Sequence, residues 1–433
     1  MVQNPIIHLY KEREVGFALS QTGSAFFFVP GTWNGIDFVE IAENAKRQFD
    51  ASATIIDLST GLPSGDPSTL PPAPAGTRAG EDPIKWIYYT SGSTAEPKGV
   101  QHTDQTLIAG GWGLAKALAM SPSDVGSIAF PFSHIAGPDY LVTMLSLGFP
   151  AVLLESFNPV AALEVFNRFG ATMVGGSTAF YVAYLTEQRK DPSTPILPTL
   201  RLMSGGGAAK PPNLHAEVRD EIGGRGIVHG YGMTEVPMIA NGSPNDTDEQ
   251  LANTDGAPVE GAEIRIVTLD GAPALPGEEG EIRVKGPMVF RGYTNSELNH
   301  DAFDAEGWFR TGDLGIMRQD GHLSLTGRLK DVIVRKGENI SAKEIEDLLS
   351  AHRKVAEVAV IGLPDAVRGE MVCAVVLPDP SSDSLTFDEL VTFCKEAGLM
   401  TQKIPERLEI VEEMPRAGTG KIVKKTLKEM FSK

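Results

Sequence analysis

Helix-period and strand-period apolar patterns alternate from the start of the chain. Residues 10–21 carry apolar side chains at helical spacing, and residues 36–49 do so again. Residues 25–29 (AFFFV) read as a compact buried strand and residues 54–58 as a second strand. Helices alternating with strands predict a parallel α/β layer. Residues 59–82, rich in Pro, Gly and Ser, read as a loop. A β-prone run at 84–89 leads into the hydroxyl-rich stretch 88–99, YYTSGSTAEPKG. Residues 103–120 read as a helix, and 127–132, 151–154, 173–175 and 200–204 as further strands.

After residue 258 the pattern changes. Short β runs at 263–267 and 281–284 flank the turn dipeptide Asp270-Gly271, which predicts a small antiparallel region. Farther on, residues 341–351 read as a helix, with Ser341 and Glu344 spaced as a capping box. Strands at 355–361 and 371–377 and a helix at 387–396 complete a smaller α/β unit. The fold class is α/β: a large N-terminal domain of layered sheets plus a small β region, then a small C-terminal domain.

Composition narrows the function. A chain of 433 residues has room for two or three domains and ample core. A net charge of −18 disfavours nucleic acid and acidic membrane as partners. The most apolar region, 127–157, is broken by Pro131, His134, Pro138, Asp139 and Pro150, so it reads as buried elements and no integral membrane segment. The opening MVQNPIIHLYKERE lacks the apolar core of a signal peptide. Cys373 and Cys394 make neither a disulfide framework nor a metal cluster, and a reducing, cytoplasmic setting fits them.

The candidate chemistry starts at 88–99. Thr90, Ser91, Ser93 and Thr94 supply hydroxyls, Gly92 lets backbone come close, and Lys98 adds a point charge. Such a loop suits a polyphosphate; the plainer reading is a solvated turn between strand and helix. A P-loop needs Gly-Lys-Ser/Thr, whereas here Lys98 precedes Gly99 and no hydroxyl follows at once. Farther along, His134 ends a predicted strand, and residues 204–209 (SGGGAA) form a glycine-rich turn. The string 229–235 (HGYGMTE) offers Tyr231 to stack on a base, Thr234 to hold a phosphate, and Glu235 to ligate Mg2+. Its plainer reading is a loop with a buried tyrosine and an exposed glutamate. Asp313, in 307–315 (GWFRTGDLG), reads as a carboxylate in a tight loop able to accept two ribose hydroxyls. The basic tail after Pro415 reads as a solvated helix or an anion-binding arm.

Taken together and in this order, these strings resemble the motifs of the adenylate-forming (AMP-binding) superfamily, in its acyl-CoA synthetase branch. Ala95 departs from the family's usual glycine in the phosphate loop. The resemblance implies that residues 90–94 and Lys98 bind the phosphates. It implies that the backbone of Gly207, Ala208 and Ala209 lines the adenine pocket, with Tyr231, Gly232 and Thr234 beyond it. His134 would sit between an acid pocket and the ATP site, the pocket also taking residues 174–177, Gly205 and Val236. Arg328 would contact ribose or phosphate. Lys330 would be the hinge of a mobile C-terminal domain, dividing the chain into 1–329 and 330–433. Lys336 and Gly337 would meet the pantetheine tunnel, and Lys421, in PRAGTGKI, would stabilise the pentavalent transition state.

The activity so implied is ATP-dependent acid–thiol ligation with ATP, Mg2+ and coenzyme A. Segments 4–19 and 26–30 look like ligases of cyclohexanecarboxylate or medium-chain acids. No Asp near 132–137 stands ready to grip an amino group, so a fatty, alicyclic or aromatic acid is expected. Two alternatives stay open: an adenylation enzyme that loads a carrier protein, and a nucleotide-binding fragment without turnover. Family members also carry a segment ahead of the point matching Asn4-Pro5. The expectation is therefore a truncated gene product or a fragment of reduced stability, exposing an apolar sheet edge and face.

Overall fold

A computed structural model describes residues 1–70, 82–90, 97–129, 131–207, 210–335, 338–365, 367–416 and 421–432. Its first layer follows the apolar pattern. Helix Glu12–Thr22 ends where Gly23 turns left-handed (φ 57°) and its N–H caps the last carbonyls. Helix Phe38–Gln48 starts at Asp37, whose carboxylate accepts the Val39 and Glu40 N–H groups. The two helices bury Val15, Leu19, Ile41 and Ala45 against each other. Strands Phe26–Val29 and Thr54–Asp57 pair in parallel, as the alternation predicts.

The first strand is not buried as a whole, however. Only Val29 is, while Phe26 and Phe28 are 57% and 52% exposed. Strand side chains alternate between faces. Helix Phe38–Gln48 lies over one side, where Phe27 and Val29 pack, and the opposite side stays open.

Strands Trp86–Thr90 and Lys98–His102 form an antiparallel hairpin, with Thr90 opposite Lys98. Its tip, residues 91–96, lies outside the described residues. The hydroxyl-rich loop thus joins two strands instead of a strand and a helix. Thr103 then caps helix Asp104–Ala117, its hydroxyl accepting the Thr106 N–H at 3.1 Å. The strand expected at 127–132 is confined to Gly126–Ile128, beside Ala151–Leu153. Pro131 has no N–H for a ladder, and its carbonyl instead accepts the His134 N–H, turning the chain into helix Ala136–Leu147.

Strands Met173–Gly176, Leu202–Gly206 and Ile227–Met233 run parallel, and Val236–Asn241 returns antiparallel. Glycine is required where these strands meet. A Cβ on Gly175 would lie 1.6 Å from the Ser204 carbonyl oxygen, and one on Gly205 2.0 Å from that of Gly176. Behind this sheet Phe166, Tyr181, Tyr184 and Leu185 fill the core. Ser204–Gly206 is therefore strand, not turn. The string 229–235 is likewise a strand end and a tight reversal, not a loop.

The antiparallel region is present as Glu263–Val267, Glu279–Lys285, Phe309–Met317 and Leu323–Arg328. Asp313 lies within the third of these strands, where ladder pairing overrides its turn preference. The remaining sheet pairs Val355–Asp365 with Gly369–Pro378, and Ile333, Ile345, Val360 and Val372 share its apolar core. Helix Ala342–Ser350 has half of its predicted capping box. Ser341 accepts the Glu344 N–H and donates to the Thr326 carbonyl at 2.6 Å, while the Glu344 carboxylate pairs with Lys403 at 2.6 Å. Among the described residues no helix is long and apolar enough to cross a membrane.

Candidate active site

The reversal between Ile227–Met233 and Val236–Asn241 presents Thr234 and Glu235. Two long-range side chains hold it. The Tyr293 hydroxyl donates to Glu235 Oε1 at 2.8 Å, and His102 Nε2 lies 2.7 Å from the Thr234 carbonyl oxygen. Glu235 is 6% exposed, contrary to the plainer reading of an exposed glutamate. Burial raises its pKa, and the Tyr293 hydrogen bond and the Lys98 charge oppose that rise. The Lys98 ammonium sits 5.1 Å from the centre of the Tyr293 ring.

Asp313 is the second focus. It accepts from the Tyr231 hydroxyl at 2.8 Å and meets Arg328 Nε at 3.1 Å. Asp313 and Arg328 are cross-strand partners, so the sheet itself sets this pair. Asp313 is 5% exposed; burial raises its pKa, and Arg328, Tyr231, Lys421 and Lys330 pull it back. Arg328, Lys330 and Lys421 thus all bear on one buried carboxylate. Lys421 belongs to the basic tail, most of which is engaged elsewhere: Lys424 pairs with Glu346 at 2.7 Å and Arg416 with Glu357. Lys421 turns into the cleft. Its surroundings and Arg328 lower its pKa, although its side chain stays open to solvent.

On the other wall stands His134, its ring reachable from the cleft and its Nδ1 accepting the Ala136 N–H at 3.4 Å. Burial first, and the Lys421 charge second, hold its pKa near 4, so the imidazole is neutral at pH 7. Gly205 lies against Gly176 and Tyr181, and Val236 is fully buried beside Tyr231 and Ile239. Gly232 fits only without a Cβ, which would fall 2.2 Å from the Pro237 carbonyl oxygen. Gly207 follows its strand with φ 77°. Ser91, Gly92, Ser93, Thr94, Ala208, Ala209, Lys336 and Gly337 lie outside the described residues.

The donor set around Glu235 suits a hard cation. The group is a buried carboxylate with its charge penalised by burial and by Asp313. Among the described residues no cluster of three His, Cys, Asp or Glu could form an all-protein cage. One carboxylate is what Mg2+ needs when phosphates and water complete its octahedron. Sequence reading missed Tyr293 and His102. Their partners are 58 and 132 positions away, and neither carries a local signal.

Comparison with known proteins gives the family. The family model for AMP-binding enzymes matches residues 1–294, and that for the AMP-binding enzyme C-terminal domain matches residues 344–421. The medium-chain fatty-acid–CoA ligase of Escherichia coli (strain K12) is 31% identical over 432 residues, covering 98% of this chain and 76% of that protein. The 2-succinylbenzoate–CoA ligase of Bacillus subtilis (strain 168) is 34% identical over 350 residues, 80% of this chain and 69% of the relative. Among solved structures, the Bacillus subtilis o-succinylbenzoate coenzyme A synthetase MenE, in complex with ATP and magnesium, matches with a TM-score of 0.84 at 29% identity, covering 99% and 84% of the two chains. The chain belongs to the AMP-binding enzymes, in their acyl-CoA synthetase branch.

Proposed function

We propose that this enzyme activates an apolar carboxylic acid with ATP and passes the acyl group to coenzyme A, with the cleft between Asp313, Thr234 and His134 as its active site. The observation that carries the reading is the convergence of Lys421, Arg328 and Lys330 on buried Asp313. The substrate carboxylate attacks the α-phosphorus of ATP, giving acyl-adenylate and pyrophosphate, and the coenzyme A thiol then displaces AMP. Asp313 accepts the ribose hydroxyls, with Tyr231 and Arg328 fixing its two oxygens. Thr234 and Lys98 donate to phosphate oxygens, and Lys421 neutralises charge that develops during adenylation. Catalysis is positioning and electrostatic stabilisation, with no covalent step on the protein. Held by Glu235, Mg2+ would supply Lewis-acid neutralisation of the phosphates.

We put the boundary between the two working parts at Leu329–Lys330. The acid class is supported by the neutral His134 beside the cleft. It agrees with the medium-chain acids named for the Escherichia coli relative. The buried free thiols of Cys373 and Cys394 suit the cytoplasm.

Pyrophosphate release tests the reading across a panel of aliphatic, alicyclic and aromatic acids, with and without coenzyme A. Acid-dependent release that yields acyl-CoA is expected. Release that ignores coenzyme A points to a carrier protein as acceptor, and no acid-dependent release across the panel overturns the proposal. The same assay tests Glu235. Tyr293→Phe removes the hydrogen bond that favours its ionised form, so the Mg2+ concentration for half-maximal rate should rise about tenfold. An unchanged Mg2+ titration removes Glu235 as the ligand.

A further inference from the structure

The side chain of His102 has no exposed surface and takes no part in the chemistry above. Both ring nitrogens are engaged: Nδ1 lies 2.9 Å from Thr106 Oγ1 and Nε2 2.7 Å from the Thr234 carbonyl oxygen. A carbonyl only accepts, so Nε2 carries the proton. Complete burial and the nearby Arg291 keep the ring neutral. Nδ1 therefore accepts, and the Thr106 hydroxyl proton is shared between it and the Thr103 carbonyl oxygen, each 2.9 Å away. Thr106 Oγ1 in turn accepts the Thr103 N–H at 3.1 Å. The result is one ordered chain of hydrogen bonds from the start of helix Asp104–Ala117, through His102, to the Thr234 carbonyl.

The anchor of that chain is firm. Arg291 N–H donates to the Gln101 carbonyl and Gln101 N–H to the Gly292 carbonyl, so the strand bearing His102 lies beside the segment bearing Tyr293. Asp82 accepts from both the Thr103 hydroxyl and Arg291, each at 2.8 Å. The Thr234–Glu235 reversal is thus gripped at two points, the carbonyl by His102 and the carboxylate by Tyr293, from neighbouring backbone.

We infer that His102 is a positioning residue of the adenylation step, whose Nε2–H fixes the Thr234 carbonyl and thereby aims the Thr234 hydroxyl and Glu235 at the nucleotide phosphates. This rests on the reading of Thr234 and Glu235 as phosphate-side groups. A tight reversal has few internal bonds to hold it, so release of that carbonyl lets the peptide rotate and moves both side chains. The acid pocket and the thioester step do not depend on it.

The test uses His102→Ala, His102→Asn and His102→Gln in the full chain. A glutamine amide N–H reaches about as far as Nε2, whereas asparagine reaches only as far as Nδ1. The measurements are ATP–pyrophosphate exchange, KM for Mg·ATP and for the acid, thioester formation from supplied acyl-adenylate, and thermal unfolding. For the Ala and Asn variants, kcat/KM for ATP should fall about 10- to 100-fold, with KM for ATP raised. Their KM for the acid and their thioester rates should stay near wild type, and Gln should recover most of the loss. Equal losses in Gln and Asn, or equal losses in both half-reactions, overturn the inference. Stabilisation of each variant by Mg·ATP against thermal unfolding separates the two readings. Should the wild type turn over no acid, the ligase reading fails alone, and the ranking Gln above Asn and Ala in ATP-induced stabilisation still supports His102. Equal ATP-induced stabilisation of all three overturns it.

Discussion

Lys421→Ala should lose ATP–pyrophosphate exchange by about 10²- to 10³-fold, the usual effect of removing one preorganised charge from a transition state. The same variant should convert supplied acyl-adenylate to thioester at close to the wild-type rate. The asymmetry follows from where the charge acts. Lys421 reaches the cleft between Asp313 and His134, where its charge depresses the pKa of both. Its surroundings and Arg328 lower its own pKa while its side chain stays open to solvent, so its ammonium is available to an incoming anion. Negative charge builds on the α-phosphoryl oxygens when the acid attacks. When the thiol displaces AMP, it builds at the acyl carbonyl oxygen, which the tail does not need to reach. Rates of the two half-reactions, measured separately, decide the point: equal loss in both would remove Lys421 from the adenylation step.

Lys330→Pro should leave adenylation nearly intact and slow thioester formation by about 10²-fold, the scale of a misplaced catalytic group. Lys330 lies in a short 3-10 turn, Leu329–Asp331, directly after the extended Arg328 (φ −125°, ψ 139°). A 3-10 turn has the φ that proline prefers, so the observed pose, with Lys421 in the cleft, tolerates the substitution. If Lys330 is the hinge, a second pose requires rotation about it, and the pyrrolidine ring fixes its φ. Proline also removes the ammonium beside Arg328 and Asp313, so Lys330→Ala serves as the control for charge. A wild-type thioester rate in the proline variant would place the hinge elsewhere.

The sequence made some parts of this site readable and hid others, for identifiable reasons. Helix periodicity, the Ser341 cap and the Asp270-Gly271 turn act over a few residues, so the elements they govern are found where predicted. The motif around Asp313 suggested ribose binding, but its structure was not readable. Its turn-prone residues lie in a strand because a four-stranded antiparallel ladder outweighs local preference. Strand burial was misjudged at Phe26 and Phe28 because alternation says that two faces exist without saying whether both are covered. Tyr293 and His102 were invisible for a third reason. A tyrosine after glycine and a histidine at a strand end acquire meaning only when the fold brings Glu235 and Thr234 to them.

The uncovered side of the Phe26–Val29 strand bears on how this molecule behaves among its own copies. Two aromatic rings stand on a sheet of two strands, a surface that favours self-association by simple burial of carbon. Opposing it is a net charge of −18 carried by the same molecule. That repulsion is long-ranged only in dilute salt, since its reach shrinks to about 10 Å at 0.1 M ionic strength. Colloidal stability is therefore set by the buffer as much as by the fold: dilute salt and alkaline pH keep the copies apart, and concentrated salt or acid lets the phenylalanine face find its neighbour.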